Sequence, residues 1–319
     1  MDAQDKKYAQ LAYIARLYYD EGRNQQEIAD ITGINRTSIS RILTEARDCG
    51  IVTIDVAWPW RVSVLEQELR KKFPGLKEVC VVACDNKEYE ESVHKLGLFA
   101  GKYLLNIIHP QTVIGVGWGK ALYETIENLP REAHPEAEVV QVIGATGYTG
   151  ILKDGPLVAK LLSDKLSCNC RYLHVPLIVE SRVIRDSLLK DKAISGTLEI
   201  AANADIIITG IGSVLLNNLY TLYEVGYVSD EEVLALKEAG ACGDILGLHY
   251  DANGELLDLD INHRTLSISL EKLSQVDRSI AVAGHEGKAE AIIGALRGGF
   301  INTLITDNFA AERMLSLLA

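Results

Sequence analysis

Residues 24–52 read NQQEIADITGINRTSISRILTEARDCGIV. Asn24 is a residue type that accepts hydrogen bonds from the free N–H groups of a helix start, and Glu27, three positions on, can reach back to complete a capping box. The spacing predicts a helix with Ile28 and Ile31 on one apolar face, ended by Gly33, whose backbone is free to turn left-handed. Asn35 caps the next helix. In it Ile39, Ile42, Leu43 and Ala46 share one side, while Arg36, Thr37, Ser38, Ser40 and Arg41 crowd the exposed side of its first turns. Gly50 is read as its end, and Ile51 to Val56 as a short alternating strand, a wing or a packing edge. Upstream, Tyr8, Leu11, Ala12, Ala15, Tyr18 and Tyr19 mark a helix that would complete a three-helix core.

This is the outline of a helix-turn-helix, winged-helix-like reader of DNA. An arginine can form two bonds to a guanine edge or clamp a phosphate, and serine and threonine hydroxyls suit either target. The expected DNA-facing set is Gln25, Arg36, Thr37, Ser38, Ser40 and Arg41. The plainer reading is a small helical domain that never touches DNA. Residues 1–57 hold seven Lys or Arg against nine Asp or Glu, a net of −2, so a basic footprint has to be local. Arg36, Arg41 and Arg47, followed by Arg61, Arg70, Lys71 and Lys72, supply one on a chain of net charge −12. Few phosphate contacts per copy imply weak binding by a monomer and favour an assembly.

The expected organisation is a DNA-binding domain over 1–57, a linker helix over 58–75 and an effector domain over 76–319. At 319 residues and 48% hydrophobic, the chain can bury a large core. It shows no signal-peptide pattern and no apolar run of the ~20 residues a membrane span needs, so a cytoplasmic protein is expected. The six cysteines lack paired metal-ligand spacing and read as buried free thiols; no metal or cofactor is expected. In the linker, Val62, Leu65, Leu69 and Phe73 form a helical stripe ahead of Pro74 and Gly75, suited to pairing with a second copy or to packing on its own domain.

From Leu76 onward, apolar β-type runs alternate with amphipathic helices, the pattern of an α/β domain with a mostly parallel sheet. Strands are expected at 78–83, 112–116, 138–143, 172–179, 205–209, 279–282 and 303–306. Several of them run into glycine loops: Gly115 to Lys120, Gly144 to Gly147, Gly210 to Ser213, and Ala283 to Lys288. At the carboxyl ends of strands such loops expose backbone N–H groups beside positive helix ends, which suits a phosphate or sugar phosphate. A glycine in one such loop is often only a turn-former. Lys120 and Lys288 each follow a loop, as point-charge partners or as solvated surface lysines.

No nucleotide motif fits. Gly115, Gly117 and Gly119 lack the dinucleotide spacing, and no loop ends as a P-loop. His174, His249, His263 and His285 are dispersed, so no acid–base pair can be assembled. Asp244 follows Gly243 and precedes an apolar run read as one strand, 245–250; it is suited to sugar hydroxyls or to capping a turn.

At this point the chain resembles the SorC-type regulators, the sugar-binding DeoR-like regulators of bacterial carbohydrate operons, over nearly its whole length. The resemblance is carried by Leu17-Tyr18-Tyr19, Gln25 to Ala29, Arg36 to Arg41, Gly115 to Lys120, Gly243 to Gly247, Tyr250 to Gly254, Lys288 to Ile292 and Gly298 to Asn302. It implies a ligand-responsive transcription regulator, with an effector domain similar in fold to sugar-phosphate isomerases and deaminases but used to sense a sugar, polyol or sugar phosphate. Double-stranded operator DNA is the implied partner and a homotetramer, a dimer of dimers, the implied assembly. The family pattern would place Trp118 in the pocket wall beside Gly117 and Gly119, Asp244 on ligand hydroxyls, and Lys288 with the Gly284 loop near the ligand's charged end. Gly144, Thr146, Gly147, Gly210, Gly212 and His285 complete the expected effector set. This chain has Gly144-Ala145 and Gly284-His285 where many relatives carry paired glycines. It also has Gly247-Leu248 where an arginine is often found, which leaves an unphosphorylated ligand open. The rival readings are an isomerase or deaminase with an appended helix-turn-helix, and a scaffold protein.

Overall fold

A computed structural model describes residues 3–49, 51–52, 61–147, 154–216 and 220–319. They fall into two compact units, Met1–Pro59 and Trp60–Ala319.

The first unit holds α1 (Ala3–Tyr19), α2 (Gln25–Thr32) and α3 (Arg36–Asp48). The Asn24 side chain accepts from the N–H groups of Gln26 at 2.9 Å and Glu27 at 3.0 Å, and Glu27 Oε2 accepts from Asn24 N–H at 3.0 Å. This reciprocal cap opens α2, and Gly33, at φ 71°, closes it. Asn35 then accepts from Ser38 N–H at 2.8 Å and opens α3. Ile14, Leu17, Ile28, Ile39 and Leu43 form the core, with Leu11, Ala15 and Ala46 beside it. Ile31 is 52% exposed, against the expectation of a shared face with Ile28, because the inward side of this eight-residue helix is filled by Ile28 and Ala29. Tyr8, Ala12 and Tyr19 also face solvent, since α1 turns Leu11, Ile14, Ala15 and Leu17 inward. Ile51 and Val52 pack on the second cluster. Gly50 and the rest of the expected wing, 53–56, lie outside the described residues.

In the second unit the strands are β1 (Glu78–Val82), β2 (Val113–Val116), β3 (Glu138–Gln141), β4 (Asn169–Arg171), β5 (Ile206–Thr209), β6 (Gly212–Ser213), β7 (Ala241–Ile245), β8 (Leu248–Asp251), β9 (Arg278–Val282) and β10 (Thr303–Asp307). The helices are α4 (Ser63–Lys72), α5 (Tyr89–Ile107), α6 (Lys120–Glu127), α7 (Gly155–Leu166), α8 (Arg182–Leu188), α9 (Lys192–Ala202), α10 (Thr221–Glu224), α11 (Asp230–Glu238), α12 (Asp260–Arg264), α13 (Leu270–Gln275), α14 (Ala289–Arg297) and α15 (Asn308–Leu317). Seven strands form a sheet in the order β1-β10-β9-β5-β2-β3-β4, and every pairing in it is parallel. A separate antiparallel sheet runs β6-β7-β8.

Two strand expectations are corrected. The strand near 172–179 is instead Asn169–Arg171, and Pro176, which has no N–H for a ladder, sits in an irregular stretch whose backbone pairs through isolated bridges. The run read as one strand over 245–250 is a hairpin. Leu246 (φ 55°) and Gly247 (φ 74°) form its two-residue turn; Asp244 lies within β7 just before it and caps the turn through Gly247 N–H.

The stripe of α4 packs into the core of the second unit through Leu69 and Phe73, with Val62 and Leu65 against it. Just before α4, the chain lies along the free edge of β1. Arg61 bridges Val82, and Val62 N–H donates to Val81 O at 2.8 Å. Buried Glu66 receives the Arg61 guanidinium through both oxygens, at 2.7 and 2.8 Å, and takes Val81 N–H at 2.9 Å. The six cysteines are free, and burial pushes the thiols of Cys80 and Cys84 up to about 12 and about 11, so these two pack as apolar groups. Among the described residues no helix is long and apolar enough to cross a membrane.

Candidate functional site

β2 and β5 are neighbours, but the chain leaves β2 towards β3 and leaves β5 towards β9, on the opposite side. Such a reversal opens a crevice beyond the carboxyl ends of the two strands. The loop of Gly117, Trp118 and Gly119 faces the loop of Gly210, Ile211 and Gly212 across it. The cleft encloses about 30 Å³ and opens to solvent at its mouth. Trp118, Gly119, Gly210, Gly212, Asp244 and Lys288 all line it, joined by Tyr89, Lys120, Thr209, Thr221 and Leu246. Gly117 sits behind, where an added methyl group would press on Leu246 and Thr209. Gly119, at φ 109°, is the N-cap of α6 and supplies no side-chain acceptor to that helix start.

Asp244 enters from the small sheet. It stands opposite Gly212 on one side and His249 on the other, so the three share a row across the strands. A methyl group at 212 would overlap Asp244 Oδ1, and glycine there lets the carboxylate stand at the cleft wall. Its other oxygen accepts Gly247 N–H at 3.1 Å. Burial pushes the Asp244 carboxyl above its ordinary value, with His249, the Gly247 N–H and Lys288 pulling the other way.

Behind Asp244 is a closed polar chain. Asn262 donates to the carbonyls of His249 and Leu257, both at 2.9 Å, which leaves its Oδ1 as acceptor for the His249 backbone N–H at 2.8 Å and for Nδ1 at 2.9 Å. His249 is thereby held as the Nδ1–H tautomer, and Nε2 accepts from the Tyr220 hydroxyl. Burial lowers the His249 pKa, which favours this neutral form.

Lys288 arrives from the turn after β9. It is 6% exposed and donates to Ile211 O at 2.7 Å. The turn itself is set by Asp307, fully buried, which accepts from the Ser92 hydroxyl, from His285 N–H at 2.6 Å and from Ala310 N–H at 2.7 Å. Gly284 lies against that carboxylate with no room for a side chain. His285 adopts φ 83°, uncommon for a residue with a side chain, and its Nδ1 accepts Gly287 N–H at 3.1 Å.

In the first unit Arg36, Thr37, Ser40 and Arg41 are exposed on the first turns of α3, Ser38 is half-buried, and Gln25 is half-buried at the start of α2. Gln25 and Arg36 line one concavity with Tyr18, Arg23 and Gln26. The helix pair thus presents guanidinium, hydroxyl and amide groups from two helix starts on one surface, the equipment for phosphate and base-edge contacts.

Residues 60–316 match the Sugar-bind family model, described as "Putative sugar-binding domain". The chain is 33% identical over 307 residues to the sorbitol operon regulator of Klebsiella pneumoniae, covering 95% of this chain and 96% of that one. It belongs to the SorC-type family of sugar-binding regulators. It is also 31% identical over 314 residues to the deoxyribonucleoside regulator of Bacillus subtilis, covering 98% and 99% of the two chains. The crystal structure of the full-length SorC of K. pneumoniae superposes with a TM-score of 0.72 at 31% identity, over 97% of this chain and 99% of that one. The chain is accordingly a ligand-responsive, DNA-binding transcriptional regulator with a sugar-binding domain.

Not every expected residue of this SorC-type regulator reaches the cleft. Gly144 is wedged against the backbone of Pro176 and serves packing. Thr146 and Gly147 line a different, largely apolar hollow with Tyr172, Pro176 and Tyr227, because their loop follows β3, one strand beyond the switch point. Gly284 and His285 stand one layer back, the His285 ring meeting the edge of Tyr89 at 5.8 Å. Tyr89 on the cleft wall, and Tyr220, Asn262 and Asp307 behind it, are not singled out by the sequence. Only Asp307 carries a local signal: it ends an apolar strand and N-caps the following helix.

Proposed function

We propose that this regulator controls a carbohydrate-utilisation operon by taking a sugar, polyol or sugar-phosphate effector into the cleft between the Gly117–Gly119 and Gly210–Gly212 loops. The observation that carries this reading is the pairing, in one glycine-lined cleft, of a buried carboxylate, Asp244, with a buried ammonium, Lys288. Asp244 accepts effector hydroxyls, and Lys288 with the uncapped start of α6 meets a negative end if the effector has one.

In this reading Arg36, Thr37, Ser40 and Arg41 face operator DNA, flanked by Gln25 and Ser38. A reader of net charge −2 binds weakly as a single copy, which favours an assembly of copies, for which the family resemblance implies a homotetramer, working in the cytoplasm where its operator is. The protein senses and does not catalyse: His249, the histidine beside Asp244, is locked with both ring nitrogens bonded and offers no base to the cleft. Effector binding shifts the balance between quaternary arrangements, and a thousandfold preference corresponds to about 4 kcal/mol of coupling.

A thermal-shift screen against sugars, polyols and their phosphates tests this. A ligand at 100 times its Kd stabilises by about 2.7 kcal/mol. The expected result is a hit in the wild type that is lost in Asp244→Ala, with operator binding kept. Turnover of a sugar phosphate by the purified protein would overturn the sensor reading.

A further inference from the structure

Asp307 ends β10, is fully buried, and divides its carboxylate among separate elements. Oδ2 accepts from the Ser92 hydroxyl of α5 and, at 2.6 Å, from His285 N–H in the turn that carries Lys288 to the cleft. Oδ1 accepts Ala310 N–H at 2.7 Å and caps α15. On its cleft side the same turn is held twice, by Lys288 on Ile211 O at 2.7 Å and by the Ser213 hydroxyl on Gly287 O at 3.0 Å.

From Asp307 two contacts lead away from the cleft. In the sheet it is the register partner of Val82, whose other edge is bridged by Arg61. Through α15 it reaches α4, where Lys72 donates to Leu318 O at 2.8 Å. Arg61 and α4 are the first described residues of the effector unit after the reader.

The turn itself is strained. His285 holds φ 83° and ψ 134°, a region that residues with a side chain rarely occupy and that persists only where the surroundings over-determine it. Asp307 on its N–H and Gly287 N–H on its Nδ1 do so here. Coupling between distant sites runs through packed contacts that have two discrete arrangements, and a strained turn pinned by one carboxylate supplies such an element.

We propose that Asp307 is a positioning residue that makes the Lys288 turn and the segment 61–72 shift as one body, so that a displacement at the cleft is felt where the effector unit joins the reader in sequence. The proposal rests on the reading of the cleft as the effector site only in what the shift would report. Its test uses no effector, so the two can fail separately.

The test is hydrogen–deuterium exchange of the full-length protein, read by peptide mass spectrometry, in the wild type, Asp307→Asn, the pair Arg61→Met with Glu66→Gln, and all three together. An asparagine offers one acceptor oxygen and cannot serve both the turn and α15. The Arg61–Glu66 pair of changes removes two buried charges together and keeps an acceptor for Val81 N–H. Asp307→Asn is expected to speed exchange about tenfold in residues 284–292 and to carry part of that acceleration to 61–72, with β3 unchanged. The pair is expected to speed exchange at 284–292 as well, and to add nothing there once Asp307 is replaced. Acceleration confined to each variant's own surroundings overturns the proposal, as does simple addition when all three changes are combined. Equal acceleration in β3 marks a loosening of the whole unit. Ser92→Ala, which takes one donor from the carboxylate, then stands in for Asp307→Asn: faster exchange at 61–72 with β3 unchanged supports the tie, and unchanged exchange at 61–72 overturns it.

Discussion

Gly212 and Asp244 are cross-strand partners, and the space a side chain would fill at 212 is taken by the Asp244 carboxylate. A backbone choice in β6 therefore sets where a carboxylate in β7 can stand. Gly212→Ala should push Asp244 aside, costing about 1–3 kcal/mol of stability through overpacking and removing the effector response. Thermal shift with and without effector, alongside operator binding in its absence, checks this. Operator binding should persist.

Asp244→Asn should raise the stability of the effector-free protein at neutral pH. Burial raises the Asp244 pKa in the folded state, so above that raised value the wild type bears the cost of a buried charge. The cost disappears as the pH falls through the raised pKa to the unfolded value, about 3.9. The Tm advantage of the variant should close over that window. An advantage that stays constant with pH would mean that the charge is not its source.

His249 works in the opposite sense. Its folded-state pKa is lowered by burial, so the stability it contributes is present above the unfolded value, about 6.5, and is lost as the pH falls below it. Denaturant unfolding between pH 7.5 and 5 should show declining stability in the wild type and a flatter profile in His249→Gln. Tyr220→Phe leaves Nε2 buried without its donor and should cost about 1–3 kcal/mol.

On the reader, Arg41→Ala should cost about 1–3 kcal/mol of operator affinity if the guanidinium bonds a base edge. Asn24→Ala should instead lower the stability of the first unit by about 1 kcal/mol through the lost cap. Titration of operator DNA at fixed salt separates the two, because Asn24→Ala acts through folding and recovers affinity on cooling.

The capped helix pair and the parallel strands were legible because their signals are local: Asn24 with Glu27, Gly33, and apolar runs such as Ile206–Thr209. The lining of the candidate cleft was legible where glycines end those runs and at Asp244 and Lys288. The order of strands was not written locally. Thr146 and Gly147 resemble the other loops in composition, yet they follow β3, which is displaced from the switch point by one strand. Tyr89, Tyr220 and Asn262 leave no trace in sequence, because what gives each its place is a partner far along the chain: Lys288 for Tyr89, His249 for the others. The hairpin at Leu246-Gly247 was hidden because its first turn residue is a leucine, which rarely takes positive φ.

The Arg61–Glu66 clasp has a consequence for self-association. An open sheet ends in rows of unpaired N–H and C=O groups that invite another chain to add a strand. At β4 the invitation is weak, since that strand has three residues and its Arg171 pairs with Glu138. At β1 it is withdrawn: Val81 gives its N–H to Glu66 and its carbonyl to Val62, and the Arg61 guanidinium reaches Val79 O at 3.5 Å. A second copy of this chain cannot extend the seven-stranded sheet through β1 without first undoing that clasp, so edge-to-edge polymerisation through β1 is blocked at its source.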